Sequence, residues 1–487
     1  MPMKKLSVFI AWIAILGIGV YLHPSQTKYN IIIDTDCGFD DLRAILMFLA
    51  DHEFEVLAIT TSEGSLTPSE GLKKIRSLLK TLYHEGIPTT AGRNLDIQPP
   101  PWRSFCKNIR WGEEEPSPLA DSSSAVDLLS MSFKNNKGKV WLVCLGSLTT
   151  ASDFYTRHPE VESQTERVVW YNNEVGASKG FNYAINEKAA EQIFNSGIKI
   201  DVIKTWDQSP LGFDSSFSEK VAKIKTPYAR VLSESFDSKE IQGKKIIDHL
   251  ILQDDLIPIF MLNPGNFTSE RKDNISLNFL KDESAGSMAL EMIIKILSVQ
   301  RDTECQVFAS FPDAPDLFAS DVRPYISMII EGNGKNEWRA GVLTSELHGH
   351  LGIYAIIGAK MGIRAREYFN IGVDDMAVLS FAGQKPPVSC LNDGLQVSTG
   401  GTLGHGLIML SNELQPKPEA IFAFKNHKIR IFLKKETAEI VEAAISKAIE
   451  CYGNLTEPYW DYVRKQAIKF WLELDRHNIF VIEKIKQ

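Results

Sequence analysis

With 487 residues the chain is longer than one ordinary domain, and 44% apolar against 23% charged residues are the proportions of a soluble globular protein. The net charge of −8, with no Lys/Arg cluster set among aromatics, argues against nucleic acid as a partner. Six cysteines scattered without a C-x-x-C do not form a disulfide framework. The first predicted element follows Lys4 and Lys5: Leu6–Leu22 carries no charge. This run exceeds a usual signal-peptide apolar core and just reaches the length of a membrane span. Residues 1–27 therefore read as a signal peptide or N-terminal anchor. The Lys pair would stay in the cytoplasm, and the remainder would be exported, either periplasmic or anchored facing outside. Membrane contact is expected through this segment alone.

Next comes NIIIDTDCGFDDLRAILMFLA, Asn30–Ala50, in which Asp34, Asp36, Asp40 and Asp41 fall between an apolar strand and an apolar helix. So much charge at a strand–helix junction is costly unless a cation or polar ligand neutralises it. Oxygen-only ligands point to a hard ion, Ca²⁺ or Mg²⁺. The plain alternative is a solvated acidic turn with one N-cap aspartate. Strand-like runs follow at Glu55–Thr61, Pro88–Ala91, Val140–Leu145, Arg167–Tyr171 and Ile200–Lys204, with helical patterns between them at Glu70–Tyr83, Ser124–Phe133 and Glu187–Asn195. This alternation predicts an α/β fold, a mostly parallel sheet with helices on both faces, whose ligands bind beyond the carboxyl ends of the strands. After about Asp207 the pattern turns irregular and helix-rich up to Arg323. Glu331–Asn336 reads as a linker or turn. A second pattern starts near Gly341, with helices at Ile353–Tyr368, Glu436–Glu450 and Tyr459–Leu474.

The motif D-T-D-x-G-x-D-D on a strand–turn–helix resembles the signature of the calcium-dependent nucleoside hydrolases of the inosine-uridine-preferring type. The resemblance runs from about Lys28 to Arg323, with 28–330 taken as the domain. Gly146-Ser-Leu-Thr149 resembles the family's G-P-L-T, Gly180-Phe-Asn182 its E-F-N, and Asn186-Glu-Lys-Ala-Ala190 its D-P-E-A-A. Asp254 in DDLIPIFMLNP resembles the last ligand in H-D-P-L-A, with Asp255 as the alternative. The resemblance implies Ca²⁺ held by Asp36, Asp41, Asp254 and the carbonyl of Thr149. It also implies Asp36 as the base toward the attacking water, Asp40 and Asn182 on the ribose, and Asp34 supporting the cluster from behind. Ser65 and Gln253 complete the expected substrate contacts. A small-molecule ribosyl substrate and a homo-oligomer are expected.

The chain departs from the motifs at three positions. Gly180 replaces a glutamate, Gln253 a histidine that protonates the leaving group, and Ser65 an asparagine. A lost general acid typically costs about 10²–10⁴-fold in rate. Stacking of the base on Trp102, Trp111 or Trp206 would be one substitute.

In the second pattern, His348-Gly-His350 precedes a helix, and Cys390-x-x-Asp393-x-x-Gln396-x-x-Thr399-Gly-x-Thr402-x-Gly404-His405-Gly406 follows later. These motifs resemble the E-subunit family of formylmethanofuran dehydrogenase, which implies an α+β domain over 338–487. The resemblance also implies a transition metal, Zn²⁺, near His348, His350, Cys390 and His405. Gly352 stands where that family has a cysteine. The alternative is that the histidines bond locally and Cys390 is a small buried hydrophobe. For the whole chain two readings follow: calcium-dependent hydrolysis of a ribosyl N-glycosidic bond, or non-catalytic binding or sensing of a ribosyl ligand at the envelope.

Overall fold

The computed structural model describes residues 29–113, 124–172, 179–205, 212–242, 250–299, 307–413 and 415–485. The uncharged run Leu6–Leu22, expected to be a signal peptide or anchor, and Trp206 lie outside them. Among the described residues no helix is long and apolar enough to cross a membrane. The chain divides into two compact units, Gln26–Arg301 and Asp302–Gln487.

In the first unit, strands β1 (Tyr29–Thr35), β2 (Phe54–Thr61), β3 (Thr89–Ala91), β4 (Val140–Cys144), β5 (Thr165–Tyr171), β6 (Ile200–Ile203), β7 (Phe267–Lys272) and β8 (Ile275–Leu280) form one sheet in the order β3-β2-β1-β4-β5-β6-β8-β7. Every pairing is parallel except β7 with β8. The central strand shows why its sequence is continuously apolar. Ile31 and Ile33 belong to the core on one face of the sheet, and Ile32 to the core on the other. Side chains alternate faces along a strand, so a strand covered on both sides needs apolar residues at every position.

The connecting helices start where capping chemistry places them. Helix α1 (Phe39–Ala50) follows the acidic turn directly. Helix α2 (Pro68–Thr81) starts on a Thr67/Glu70 capping box with Pro68 in the first turn, and α3 (Ala125–Asn135) on a Ser124/Asp127 box. Helix α4 (Thr149–Arg157) follows β4, and the short α5 (Phe181–Ile185) follows β5. Helix α6 (Glu187–Phe194) is capped by Asn186, whose side chain accepts from the Ala189 N–H. Helix α7 (Leu256–Leu262) begins just after Asp254 and Asp255.

The β7–β8 hairpin falls in the stretch that the sequence reads as irregular and helix-rich. Residues Ser269–Lys272 of β7 are exposed on the sheet edge, so the strand lacks the apolar alternation that reveals strands, and Asp273 turns the hairpin with φ of 54°.

In the second unit, β9 (Ala377–Ser380), β10 (Ile408–Leu410), β11 (Glu419–Phe424), β12 (His427–Leu433) and β13 (Phe480–Lys484) form a sheet in the order β10-β9-β11-β12-β13. Helices α8 (Ile326–His348), α9 (Ile353–Phe369), α10 (Leu391–Thr399), α11 (Lys435–Tyr452) and α12 (Glu457–Glu473) complete an α+β unit. Its core includes Trp338 stacked on Trp471 at 5.2 Å. Helices α9 and α10 meet closely: a Cβ on Gly394 would lie 2.2 Å from the Ala355 carbonyl oxygen. The expected linker Glu331–Asn336 is instead part of α8. Its turn-like composition marks a break within the helix, at Gly334 (φ 84°, ψ 161°).

Candidate active site

The carboxyl ends of the first unit's strands carry the candidate residues. Asp34 and Thr35 end β1, Asp36 follows directly, and Cys37 then takes a left-handed φ of 61° to start the turn. The Thr35 hydroxyl accepts from the Cys37 N–H at 2.9 Å, and Gly38 leads into α1. A Cβ on Gly38 would stand 2.7 Å from an Asp40 oxygen and 2.8 Å from an Asp41 oxygen, so the carboxylates occupy the space a side chain would need. Among the described residues, Asp40, Asp41 and Asp254 form the one group of His, Cys, Asp or Glu whose ligand atoms converge, all within 4.8 Å of one another. Asp41 is tied through Oδ2 alone, to the Thr35 hydroxyl at 2.6 Å and the Asp36 N–H at 3.1 Å. Asp36 lies on the same wall with Oδ1 accepting from the Gly38 N–H at 3.1 Å, and the Ser65 N–H and hydroxyl face its carboxylate.

Asp34, Asp36, Asp41 and Asp254 are buried, and burial is the main reason their acidity falls. It pushes Asp34 up to about 7 against the pull of the Thr60, Ser62 and Thr150 hydroxyls. Burial pushes Asp36 up to about 6, with Ser65 opposing and Asp40 adding repulsion. Asp41 and Asp254 rise well above the usual carboxylate range, by burial first and then by repulsion from their acidic neighbours. Asp254 Oδ1 is buried without a hydrogen-bond partner. Converging oxygens, mutual repulsion and an orphaned acceptor are what a hard divalent cation would satisfy, so the donor set fits Ca²⁺.

The group opens on a cavity of about 330 Å³ with an acidic floor and aromatic walls from Phe39, Trp102, Phe105, Tyr171 and Phe181. Asp36, Asp40, Asp41, Ser65, Asn182, Gln253 and Asp254 all line it. Asn182 donates both amide protons to backbone, to Leu145 O at 2.9 Å and Tyr171 O at 3.0 Å, which leaves Oδ1 for a ligand. Ser65 accepts from Trp102 Nε1 at 3.1 Å, and Arg103 holds the Gly64 and Ser65 carbonyls. Asp34 stands behind the floor, taking the Thr60 hydroxyl at 2.6 Å. The Thr149 hydroxyl is engaged with Ser147 at 2.9 Å and Asn186 at 3.1 Å.

The alternative ligand Asp255 is bound to Arg43 by both carboxylate oxygens, at 2.9 and 2.6 Å. Trp102 is on the cavity wall, with Phe181 edge-on to it at 4.8 Å. Trp111 is not; it is buried against Phe39 at 5.3 Å. Sequence reasoning missed Phe181, although it adjoins Asn182, and also missed Arg43, whose partner lies more than two hundred positions away.

In the second unit, among the described residues, His348, His350, Cys390 and His405 do not gather as a metal-holding group. His405 Nδ1 is bonded to the Gly400 carbonyl at 3.0 Å, in the turn that follows α10. Burial and the Asp393 charge push the Cys390 thiol up to about 11. The two remaining histidines do come together, with ring centroids 4.2 Å apart. His348 Nδ1 meets Asp393 at 2.6 Å, and its Nε2 is buried without a partner. A Cβ on Gly352 would lie 3.3 Å from both Nε2 atoms.

Residues 31–315 match the family model described as inosine-uridine preferring nucleoside hydrolase, and residues 347–481 match the model described as FmdE, molybdenum formylmethanofuran dehydrogenase operon. The pyrimidine-specific ribonucleoside hydrolase RihA of Salmonella schwarzengrund (strain CVM19633) is 28% identical over 220 residues, 42% of this chain and 70% of that protein. RihA of Shewanella woodyi (strain ATCC 51908 / MS32) is 30% identical over 183 residues, 35% of this chain and 58% of that protein. A purine-preferring ribonucleoside hydrolase structure from Gardnerella vaginalis aligns over 55% of this chain and 99% of its own, with 18% identity and a TM-score of 0.48.

Proposed function

The chain belongs to the inosine-uridine preferring nucleoside hydrolase family, and we propose that its first unit hydrolyses the N-glycosidic bond of a ribonucleoside with the help of a calcium ion. The observation that carries this is the convergence of Asp40, Asp41 and Asp254 at the floor of an aromatic-walled cavity. Asp41 and Asp254 would hold the ion as the motif implies, Asp40, expected on the ribose, would join them in place of Asp36, and the Thr149 carbonyl is the further ligand that the motif implies. When bound, the ion neutralises the cluster, anchors the sugar diol and makes water in the site more acidic.

The chain's own groups do the rest. Asp36, facing the cavity beside the cluster, takes the proton of the attacking water as general base. The water oxygen bonds to the anomeric carbon as the bond to the base nitrogen breaks. The carboxylates stabilise the positive charge that develops on the sugar. Asn182 Oδ1 accepts from a ribose hydroxyl. Trp102 and Phe181 flank the base, and the Gln253 amide donates to it as it leaves, a weaker aid than a general acid. Ribose release from a panel of purine and pyrimidine nucleosides, with calcium and with EGTA, tests the reading. Calcium-dependent release supports it. Diol binding without release on any nucleoside would replace it with the binding reading.

For the second unit we propose that His348 and His350 bind a borderline-soft divalent ion such as Zn²⁺. Asp393 orients His348, and its buried Nε2 is free for a metal. Elemental analysis of chelator-free protein, wild type against His350→Ala, tests this. Absence of transition metal from the wild type would reduce the pair to a local contact.

A further inference from the structure

We infer that Arg43 and Asp255 form a positioning pair that sets Asp254 against Asp40 and Asp41, an inference that rests on the calcium reading above. Two of the converging carboxylates lie on α1, and the third comes from a segment more than two hundred residues later. Arg43 is also on α1, one turn past Asp40. Its Nε and Nη2 donate to Asp255 at 2.9 and 2.6 Å, and Nη2 also donates to the Ile251 carbonyl at 3.2 Å. The pair therefore joins the helix that carries Asp40 and Asp41 to the loop that carries Asp254.

The pair is rigid. Asp255 is fully buried, Arg43 is 3% exposed, and the guanidinium carbon lies 5.0 Å from the Phe39 ring centroid and 4.7 Å from that of Phe213. Asp254 is less anchored: its Oδ1 has no partner, and the side chain it meets is Asp40, itself a member of the cluster. Its aim depends on the backbone that Asp255 fixes. The pair also keeps the Asp255 charge from adding to the repulsion in the cluster. A lysine would keep the positive charge and lose the two-pronged geometry. A hydrophobic pair of similar size would preserve packing, because buried ion pairs often give little net stability.

These contrasts separate positioning from a merely structural role. In the full-length chain, Arg43→Lys and the double variant Arg43→Met/Asp255→Leu are titrated with Ca²⁺ by calorimetry, with near-UV circular dichroism to verify the fold. Both should bind calcium at least about tenfold more weakly than wild type, the range usual for lost supports behind a metal ligand. At saturating calcium the nucleoside KM should return toward the wild-type value, since Asp255 does not line the cavity and Arg43, which reaches its wall, has Nε and Nη2 committed to Asp255 and the Ile251 carbonyl. Wild-type calcium affinity in either folded variant overturns the inference alone. A wild-type protein that binds no calcium overturns the calcium reading and this inference together. The two failures are thus distinguishable, and the double variant keeps the test open if Arg43→Lys misfolds.

Discussion

At Asp41 one carboxylate oxygen is committed to the protein and the other is not: Thr35 and the Asp36 N–H hold Oδ2. Asp41→Asn should keep that shape while removing a charge that burial and neighbouring acids make costly. Calcium-free Asp41→Asn is therefore expected to be at least as stable as calcium-free wild type. It should lose the calcium-dependent rise in Tm, which in wild type corresponds to about 2.7 kcal/mol at a hundredfold excess over Kd. Thermal unfolding of both proteins, with calcium and with EGTA, reads the two effects separately. Trp102 is the residue-scale test of base recognition. Trp102→Ala should raise KM through the loss of about 1–3 kcal/mol of stacking, with a smaller change in kcat; an unchanged KM would place the base elsewhere. The acidic cluster was legible because its residues are adjacent in the chain and their charge has no other reason to be there. Trp111 was misread as a stacking residue because a tryptophan's burial depends on neighbours such as Phe39 that sequence order does not reveal. Arg43–Asp255 was illegible for the same reason: Arg43 alone reads as an ordinary surface charge, and Asp255 as an alternative ligand whose partner sequence order does not reveal.

Among the elements, the parallel strands were legible from their apolar runs, since both faces of the sheet are covered. The edge strand β7 was not, because an exposed edge is polar by necessity. The second unit adds a charged seam that no pattern announces. Lys360 and Arg476 meet Glu337, Arg476 meets Glu367, and His477 lies between Glu367 and Asp475, so the segment after α12 is tied to α8 and α9. His477 is raised: burial opposes its charge, but Asp475 and Glu367 outweigh it. A raised histidine contributes stability that is fully present below its unfolded pKa and is lost as pH rises through the folded value. Asp475 is lowered to about 2, mainly by its bond to His477, so its contribution is present above the ordinary aspartate range and is lost as pH falls toward 2. The seam is therefore strongest from about pH 4 to 6. His477→Gln should cost about 1–3 kcal/mol in that window and less at alkaline pH, where the imidazole is neutral. Denaturant unfolding of the full chain at pH 5 and pH 8.5, wild type against variant, measures the difference. An equal loss at both pH values would mean that His477 acts by packing rather than by charge.

At the scale of the whole molecule, export and the division into two units are each open to measurement. If Lys4, Lys5 and Leu6–Leu22 direct export, the protein should sediment with membranes or appear in the exported soluble fraction with a shortened N-terminus. An intact N-terminus in a purely cytosolic fraction contradicts both. The units themselves enclose separate cores, with Ile31, Phe48 and Ile257 in one and Trp338, Phe422 and Trp471 in the other. The proposed calcium donors Asp40, Asp41 and Asp254 belong to the first unit, and the proposed zinc ligands His348 and His350 to the second. A ligand stabilises the structure that binds it by mass action, so each metal should act on its own unit. Multi-unit chains commonly depart from two-state melting, which makes this visible. Calorimetry of the full chain should show one transition that rises with added calcium and falls with EGTA, and a second that does not respond to calcium. Zn²⁺ added to metal-stripped protein should move only the second. Asp41→Asn should abolish the first response, and His350→Ala the second. A single transition that shifts with either metal would show that the units melt as one, and that occupancy of either site stabilises the whole chain.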